Sequence, residues 1–194
     1  MKLKKIFEKT AQLWDFIWHG ESIESYIAFV IFCIVFVPLI WKMFLMFLGL
    51  FGVADITAVM TSSMVHSGNV QQYFFNFYAD RNISVENFPL KDGFLPTDAI
   101  VIMKVNSPDE LKVGDVIVYK PCPSCEQIIH RIVEVRKYSE TDCHYSTKGD
   151  NNPGFLPFET DINYSQIQGK AGLRIPLLGI PRTALYYAMK FLGM

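Results

Sequence analysis

Polarity along the chain falls into two regimes. From Tyr26 to Trp41 the sequence YIAFVIFCIVFVPLIW carries no charge, and after the single Lys42 the apolar run continues as MFLMFLGLFGVA to Ala54. A helix needs about 20 mostly apolar residues, each rising about 1.5 Å, to cross the hydrocarbon of a bilayer. The pattern therefore predicts a transmembrane anchor over residues 25–48. A helix buried in a soluble core seldom runs this long without a polar face, and the apolar region of a cleaved secretory signal is shorter. Pro38 need only kink such a helix, because neighbouring groups satisfy the freed carbonyl. Lys42 can extend its ammonium to the headgroups, and Trp18 and Trp41 are of the kind that settles at membrane interfaces.

After the anchor the apolar runs become short and are broken by turn residues. Ala99–Met103 (AIVIM), Asp115–Tyr119 (DVIVY), Ile128–Val135 (IIHRIVEV) and Ala171–Ile175 (AGLRI) are strand-sized and rich in Val and Ile. Turn-forming composition stands between the second and third runs, at Pro121-Cys122-Pro123-Ser124-Cys125, and after the third, at Ser139-Glu140-Thr141-Asp142. The expectation is a mainly β domain over residues 49–194, built on a hairpin or meander.

Two segments depart from that pattern. Residues 65–96 form an insertion in which Val70-Gln71-Gln72-Tyr73-Phe74-Phe75-Asn76-Phe77-Tyr78 is dense in aromatics. It predicts a short helix followed by a polar loop, acting as a lid or brace over the core in preference to a substrate contact. The C-terminal segment 183–194 is apolar apart from Lys190. Too short to span, it is expected to lie on the bilayer surface or to pack on the core.

Charge narrows the function classes. The 18 Lys and Arg nearly balance the 19 Asp and Glu and are spread along the chain, so the basic footprint of a nucleic-acid binder is missing. Lys2, Lys4, Lys5 and Lys9 precede the anchor, and the positive-inside rule then puts residues 1–24 in the cytoplasm and residues 49–194 on the outer face. Cys122, Cys125 and Cys143 fall on that outer side. With His144 they could form a zinc site, but a second spaced pair is missing and adjacent strand residues point to opposite faces. A disulfide between two of the three is favoured in an oxidising exterior. Asn82-Ile83-Ser84 and Asn163-Tyr164-Ser165 fit the glycosylation pattern of an outer location.

Three residues outside the anchor have the chemistry of an acyl-transfer site. Ser63 lies in Thr61-Ser62-Ser63-Met64, His130 in Ile129-His130-Arg131-Ile132, and Asp150 in Lys148-Gly149-Asp150-Asn151-Asn152. A serine hydroxyl is not ionised at neutral pH, so it must pass its proton to a base as it attacks. A histidine with an ordinary pKa of about 6.5 can take that proton and return it to the leaving amine. A carboxylate on the other ring nitrogen sets the tautomer and stabilises the imidazolium. Taken singly, each residue has an ordinary explanation as a turn serine, a strand histidine or a turn aspartate.

Together their wording resembles the type I signal peptidases, in the archaeal and endoplasmic-reticulum branch where histidine replaces the lysine base of most bacterial forms. The resemblance covers most of the chain after the anchor. It rests on Ser63-Met64 at the end of an apolar run, Gly114-Asp115 before an apolar strand, His130-Arg131-Ile132, and Lys148 to Asn152. A closing pattern of Gly169-Lys170, Arg174-Ile175-Pro176 and Gly179 completes it. It implies an all-β catalytic domain behind a transmembrane helix, with Ser63 as nucleophile and His130 as general base. Thr61, two residues before the nucleophile, joins the Ser63 backbone N–H as oxyanion donor. Many members carry a further aspartate six residues after that of the Gly-Asp-Asn-Asn turn, where Leu156 stands here. Asp150 is therefore the expected acid, with Glu159 or Asp161 as alternatives. His66 lies in the insertion and ranks below His130.

The implied activity is removal of N-terminal signal peptides from secretory precursors by a single-pass protein of the cell membrane, alongside the Sec translocation machinery. Substrates would have small side chains at the first and third positions before the cut and bind as an extended strand along a sheet edge. No metal or organic cofactor is implied. The alternatives are a relative that processes a narrow set of exported proteins, or a non-catalytic anchored domain that binds them.

Overall fold

The computed structural model describes residues 2–66, 68–139 and 142–193. Part of the turn expected at residues 139–142, Ser67 of the insertion and the final residue of the C-terminal segment lie outside the described residues. The chain divides into two compact units, Met1–Leu50 and Phe51–Met194.

The first unit is helical. Helix α1 (Lys2–His19) and helix α2 (Ile23–Gly49) meet at a short turn. Ser22 caps α2, its hydroxyl accepting the Ser25 N–H at 3.2 Å and so satisfying one of the free donors of the first turn. Trp18 packs edge-on against Phe29 and Phe32, and Trp14 against Phe32. Helix α2 runs through Pro38 without a break and is long and apolar enough to cross a membrane. Its apolar side chains lie exposed along its length, Ile34 at 67% and Met46 at 74%.

The second unit is a curled antiparallel sheet of seven strands: β1 (Val53–Ala58), β2 (Ala99–Met103), β3 (Val116–Tyr119), β4 (Ile128–Lys137), β5 (Cys143–Lys148), β6 (Ile162–Asn163) and β7 (Ile167–Ile175). Their order is β1-β2-β7-β3-β4-β5-β6. Strands β3 to β6 follow one another as the expected meander. Strand β7 instead returns across the sheet to pair with both β2 and β3. All four strand-sized apolar runs are strands. Three others were not legible in composition: β1 continues directly from the long apolar run, β5, with sequence CHYSTK, reads as polar, and β6 is only two residues long. Tyr145, Ser146 and Thr147 are nonetheless buried, because β5 lies between β4 and β6.

Alternation along β3 and β4 sorts the core. Ile117, Tyr119, Ile128 and Ile132 join Leu111, Cys143, Tyr145 and Ile162 on one side. Val116 and Ile129 belong with Met64, Phe94 and Ile100, while Val133 meets Phe74 and Tyr78 of helix α3 (Asn69–Ala79). That helix is the one predicted in the insertion, and it braces the sheet through its aromatics, with Tyr78 edge-on to Phe88 at 5.0 Å. Helix α4 (Ile180–Phe191) buries Thr183 and reaches Met60 through the Tyr187 hydroxyl at 3.4 Å. Its other apolar residues stay exposed, Leu185 at 62% and Phe191 at 91%. Cys122 and Cys125 form a disulfide, and Cys143 is a buried free thiol.

Ile117 is fully buried at the centre of the larger cluster. Truncation there removes packed methyl groups and leaves a cavity that the two flanking strands cannot close. Ile117→Ala is expected to destabilise the chain by about 2–5 kcal/mol, read as a lowered urea midpoint in detergent with an unchanged slope.

Candidate active site

Ser63 sits just beyond β1, in a turn gripped from two directions. The Phe94 N–H donates to the Met64 carbonyl at 3.0 Å, and Val65 forms a bridge with Gly93. From the other side, the Asn151 N–H donates to the Ser63 carbonyl at 2.8 Å and the Asn151 amide donates to the Ser62 carbonyl at 2.9 Å. Gly93 has φ +66, and a Cβ there would come within 2.2 Å of the Met64 oxygen. Only glycine allows this close approach.

His130 is on β4, opposite Ile117 of β3, and is 4% exposed. Its Nε2 is 3.0 Å from the Ser63 hydroxyl. Its Nδ1 is paired with the Glu159 carboxylate, which is fully buried. Gly149 makes room for the ring, since a Cβ there would lie 3.0 Å from His130 Nε2. The Thr61 hydroxyl is 3.3 Å from that of Ser63. Serine, imidazole and carboxylate thus form a connected line, with a second hydroxyl beside the first.

Asp150 was the expected acid, and the structure places it elsewhere. Neighbouring residues of a strand face opposite sides of the sheet. His130 shares its side with Ile128 and Ile132, whereas Arg131 shares the other with Ile129 and Val133. Asp150 belongs to the Arg131 side. It accepts from Arg131 Nη2 at 2.8 Å and from Nε at 3.1 Å, and it meets His66 Nε2 at 2.9 Å. The other Arg131 hydrogens go to the carbonyls of Pro89, Leu90 and Gly114 at 2.7–2.9 Å. All five donors of this fully buried guanidinium are satisfied, which makes its burial tolerable.

Glu159, one of the two alternative acids, reaches His130 because its backbone is tied to β5. The Thr147 N–H donates to the Glu159 carbonyl at 2.8 Å, and the Leu156 N–H donates to the Glu159 carboxylate. Leu156 therefore supports the acid from the position where the resemblance led one to look for it. Asp161, the other alternative, faces outward and pairs with His144 at 2.6 Å and Arg136 at 3.4 Å.

Burial acts on the charges around this loop. Desolvation pushes the Asp150 carboxyl up, but the His66 hydrogen bond and the Arg131 guanidinium together outweigh it and hold the group below its ordinary value. Lys148 is depressed by burial, with Asp150 and Glu159 opposing the shift. Its ammonium donates to the carbonyls of Gly149 and Asn152 at 3.1 and 2.5 Å, which pins the start of the same loop. Sequence reasoning passed over Arg131 and His66 as partners of Asp150. The signal for Arg131 was present: a cation at period 2 between Ile129 and Val133 on a buried strand requires a carboxylate. For His66 no local signal exists.

The set fits acyl transfer through an activated serine. Among the described residues no group of three or more His, Cys, Asp or Glu is placed to hold a metal ion. Comparison of the sequence with protein-family models and with curated proteins gives no match.

The Asp150 geometry has a pH signature. Because its folded pKa lies below the ordinary 3.8, the carboxylate contributes stability above that value and loses it as pH falls toward the depressed folded pKa. Asp150→Asn leaves Arg131 buried without a counter-charge and is expected to cost about 3–5 kcal/mol at pH 7. The gap between wild type and variant should narrow below about pH 4. Urea unfolding from pH 7 to 3 checks this, and a constant gap would contradict the assignment.

Proposed function

We propose that the chain is a membrane-anchored serine endopeptidase that removes N-terminal signal peptides from exported proteins, using a Ser63–His130–Glu159 triad. The observation that carries the reading is the 3.0 Å contact between the Ser63 hydroxyl and His130 Nε2, with the other ring nitrogen held by a buried carboxylate. The resemblance to type I signal peptidases at Ser63-Met64, His130-Arg131 and Lys148 to Asn152 supports the substrate class.

In the proposed reaction the Ser63 oxygen attacks the scissile carbonyl while its proton passes to His130 Nε2. Glu159 keeps the hydrogen on Nδ1, so that Nε2 presents its lone pair, and then faces the imidazolium. The Thr61 hydroxyl and the Ser63 N–H donate to the oxyanion. As the C–N bond breaks, His130 returns the proton to the departing amine, leaving an acyl-serine. Water then attacks the acyl carbon and gives a proton to His130; as the bond to the Ser63 oxygen breaks, His130 returns that proton to the serine and the acid is released.

Helix α2, with the lysines before it, supports an anchor whose N-terminus is cytoplasmic and whose β unit faces outward. An anchor holds enzyme and membrane-held precursor in the same thin layer, which raises their effective concentration. The edge strand β1, paired only with β2 and leading into Ser63, offers backbone groups to an extended peptide. Delivery by the Sec machinery is part of the proposal.

Reconstitution with a synthetic precursor tests it. Ser63→Ala and His130→Ala are each expected to lower kcat/KM by at least about a thousandfold. Glu159→Gln should cost about 100- to 10,000-fold by upsetting the tautomer. Asp161→Ala should change little. Undiminished product from Ser63→Ala would sink the peptidase reading, and a panel of precursors separates a general from a narrow range. Loss of the Thr61 hydroxyl, in Thr61→Val, is expected to reduce kcat by about 10- to 1,000-fold with little change in KM, measured on the same precursor.

A further inference from the structure

His66 is a buried imidazole that the proposed reaction does not use. Its side chain is 2% exposed, and its ring lies 4.6 Å from that of Phe74, centre to centre. Nε2 meets the Asp150 carboxylate at 2.9 Å, while Nδ1 has no hydrogen-bond partner among the described residues. An ionised carboxylate can only accept, so Nε2 carries the hydrogen.

The contact closes a ring through the chain. From Ser63 the backbone runs to His66, the imidazole crosses to Asp150, and the Asn151 N–H returns to the Ser63 carbonyl at 2.8 Å. Arg131 holds the far side of the same carboxylate. The turn fixed in this way also carries Gly149 against the His130 ring. Nucleophile and base therefore take their relative position from one turn, and among the described residues His66 is the side chain of the nucleophile loop that grips its carboxylate.

We infer that His66 is a positioning residue, whose Nε2–H bond to Asp150 sets the Ser63–His130 geometry without touching the substrate. The inference rests on the proposed peptidase reading for its kinetic consequence, but not for its structural one. A glutamine can place an amide N–H where Nε2–H stands, whereas leucine fills space and donates nothing.

The test compares His66→Leu and His66→Gln with wild type in the full chain, in detergent, with active sites counted by a fluorophosphonate. His66→Leu is expected to lower kcat per titrated site by about 10- to 100-fold, since small displacements of reacting groups have effects of that size. KM should stay within about twofold, and His66→Gln should recover most of the loss. If both variants merely reduce the number of titratable sites and keep the wild-type kcat per site, His66 is packing alone and the inference is overturned. Amide exchange at Asn151 provides an arm independent of activity: His66→Leu should speed it by about tenfold or more, relative to amides of β3, and His66→Gln much less. A wild-type chain that neither cleaves nor labels would remove the peptidase reading, and exchange at Asn151 would still decide the role of His66. Unchanged exchange in His66→Leu rejects it.

Discussion

Strand β4 places an imidazole and a guanidinium side by side, and a strand must send them to opposite faces of the sheet. Both are buried, His130 at 4% and Arg131 at 0% exposure. Each therefore needs a partner on its own side: the guanidinium a carboxylate, because a buried charge without one is unstable by several kcal/mol, and the imidazole an acceptor for the hydrogen on its second ring nitrogen. The chain after β5 supplies both. Asp150 goes to Arg131 at the start of the loop and Glu159 to His130 at its end. The alternation of one strand thus decides which carboxylate can meet the imidazole and which must serve the framework.

The second consequence is that the loop from Gly149 to Glu159 cannot move without disturbing the serine. Asn151 holds the carbonyls of Ser62 and Ser63, Lys148 ties the loop to itself, and Thr147 fixes Glu159. The insertion adds to this. Its first residues carry His66 to Asp150, and α3 places Phe74 against the His66 ring and within 5.3 Å of the Arg131 guanidinium. The brace expected from its aromatics is therefore also a wall of the polar network. Individual hydrogen bonds of this kind contribute about 1 kcal/mol each, but leaving one buried partner unmet costs more. The network is consequently strong as a whole and vulnerable at single positions.

On the proposed function, the two units have separate tasks. Helix α2 supplies two-dimensional confinement, which demands only length and apolarity. The sheet supplies geometry to within fractions of an ångström, which demands register. Helix α4 stands between these requirements, docked at Met60 by Thr183 and Tyr187 while its remaining apolar residues stay exposed.

What the sequence by itself determined was whatever depends on local pattern. The apolar run from Tyr26 predicted α2, four Val- and Ile-rich runs predicted β2, β3, β4 and β7, and the aromatic stretch predicted α3. The motif wording singled out Ser63 and His130, which the fold brings to 3.0 Å across a separation of 67 residues. What only the tertiary structure decided was everything set by the company a residue keeps. Strand β5 is polar in composition yet buried by its neighbours, and β7 crosses the sheet to a place no local signal records. Glu159 in place of Asp150 belongs to the same class. The motif wording favoured the aspartate beside the glycine, but the face of β4 on which each side chain emerges, and the hydrogen bond from Thr147, put the glutamate against the imidazole.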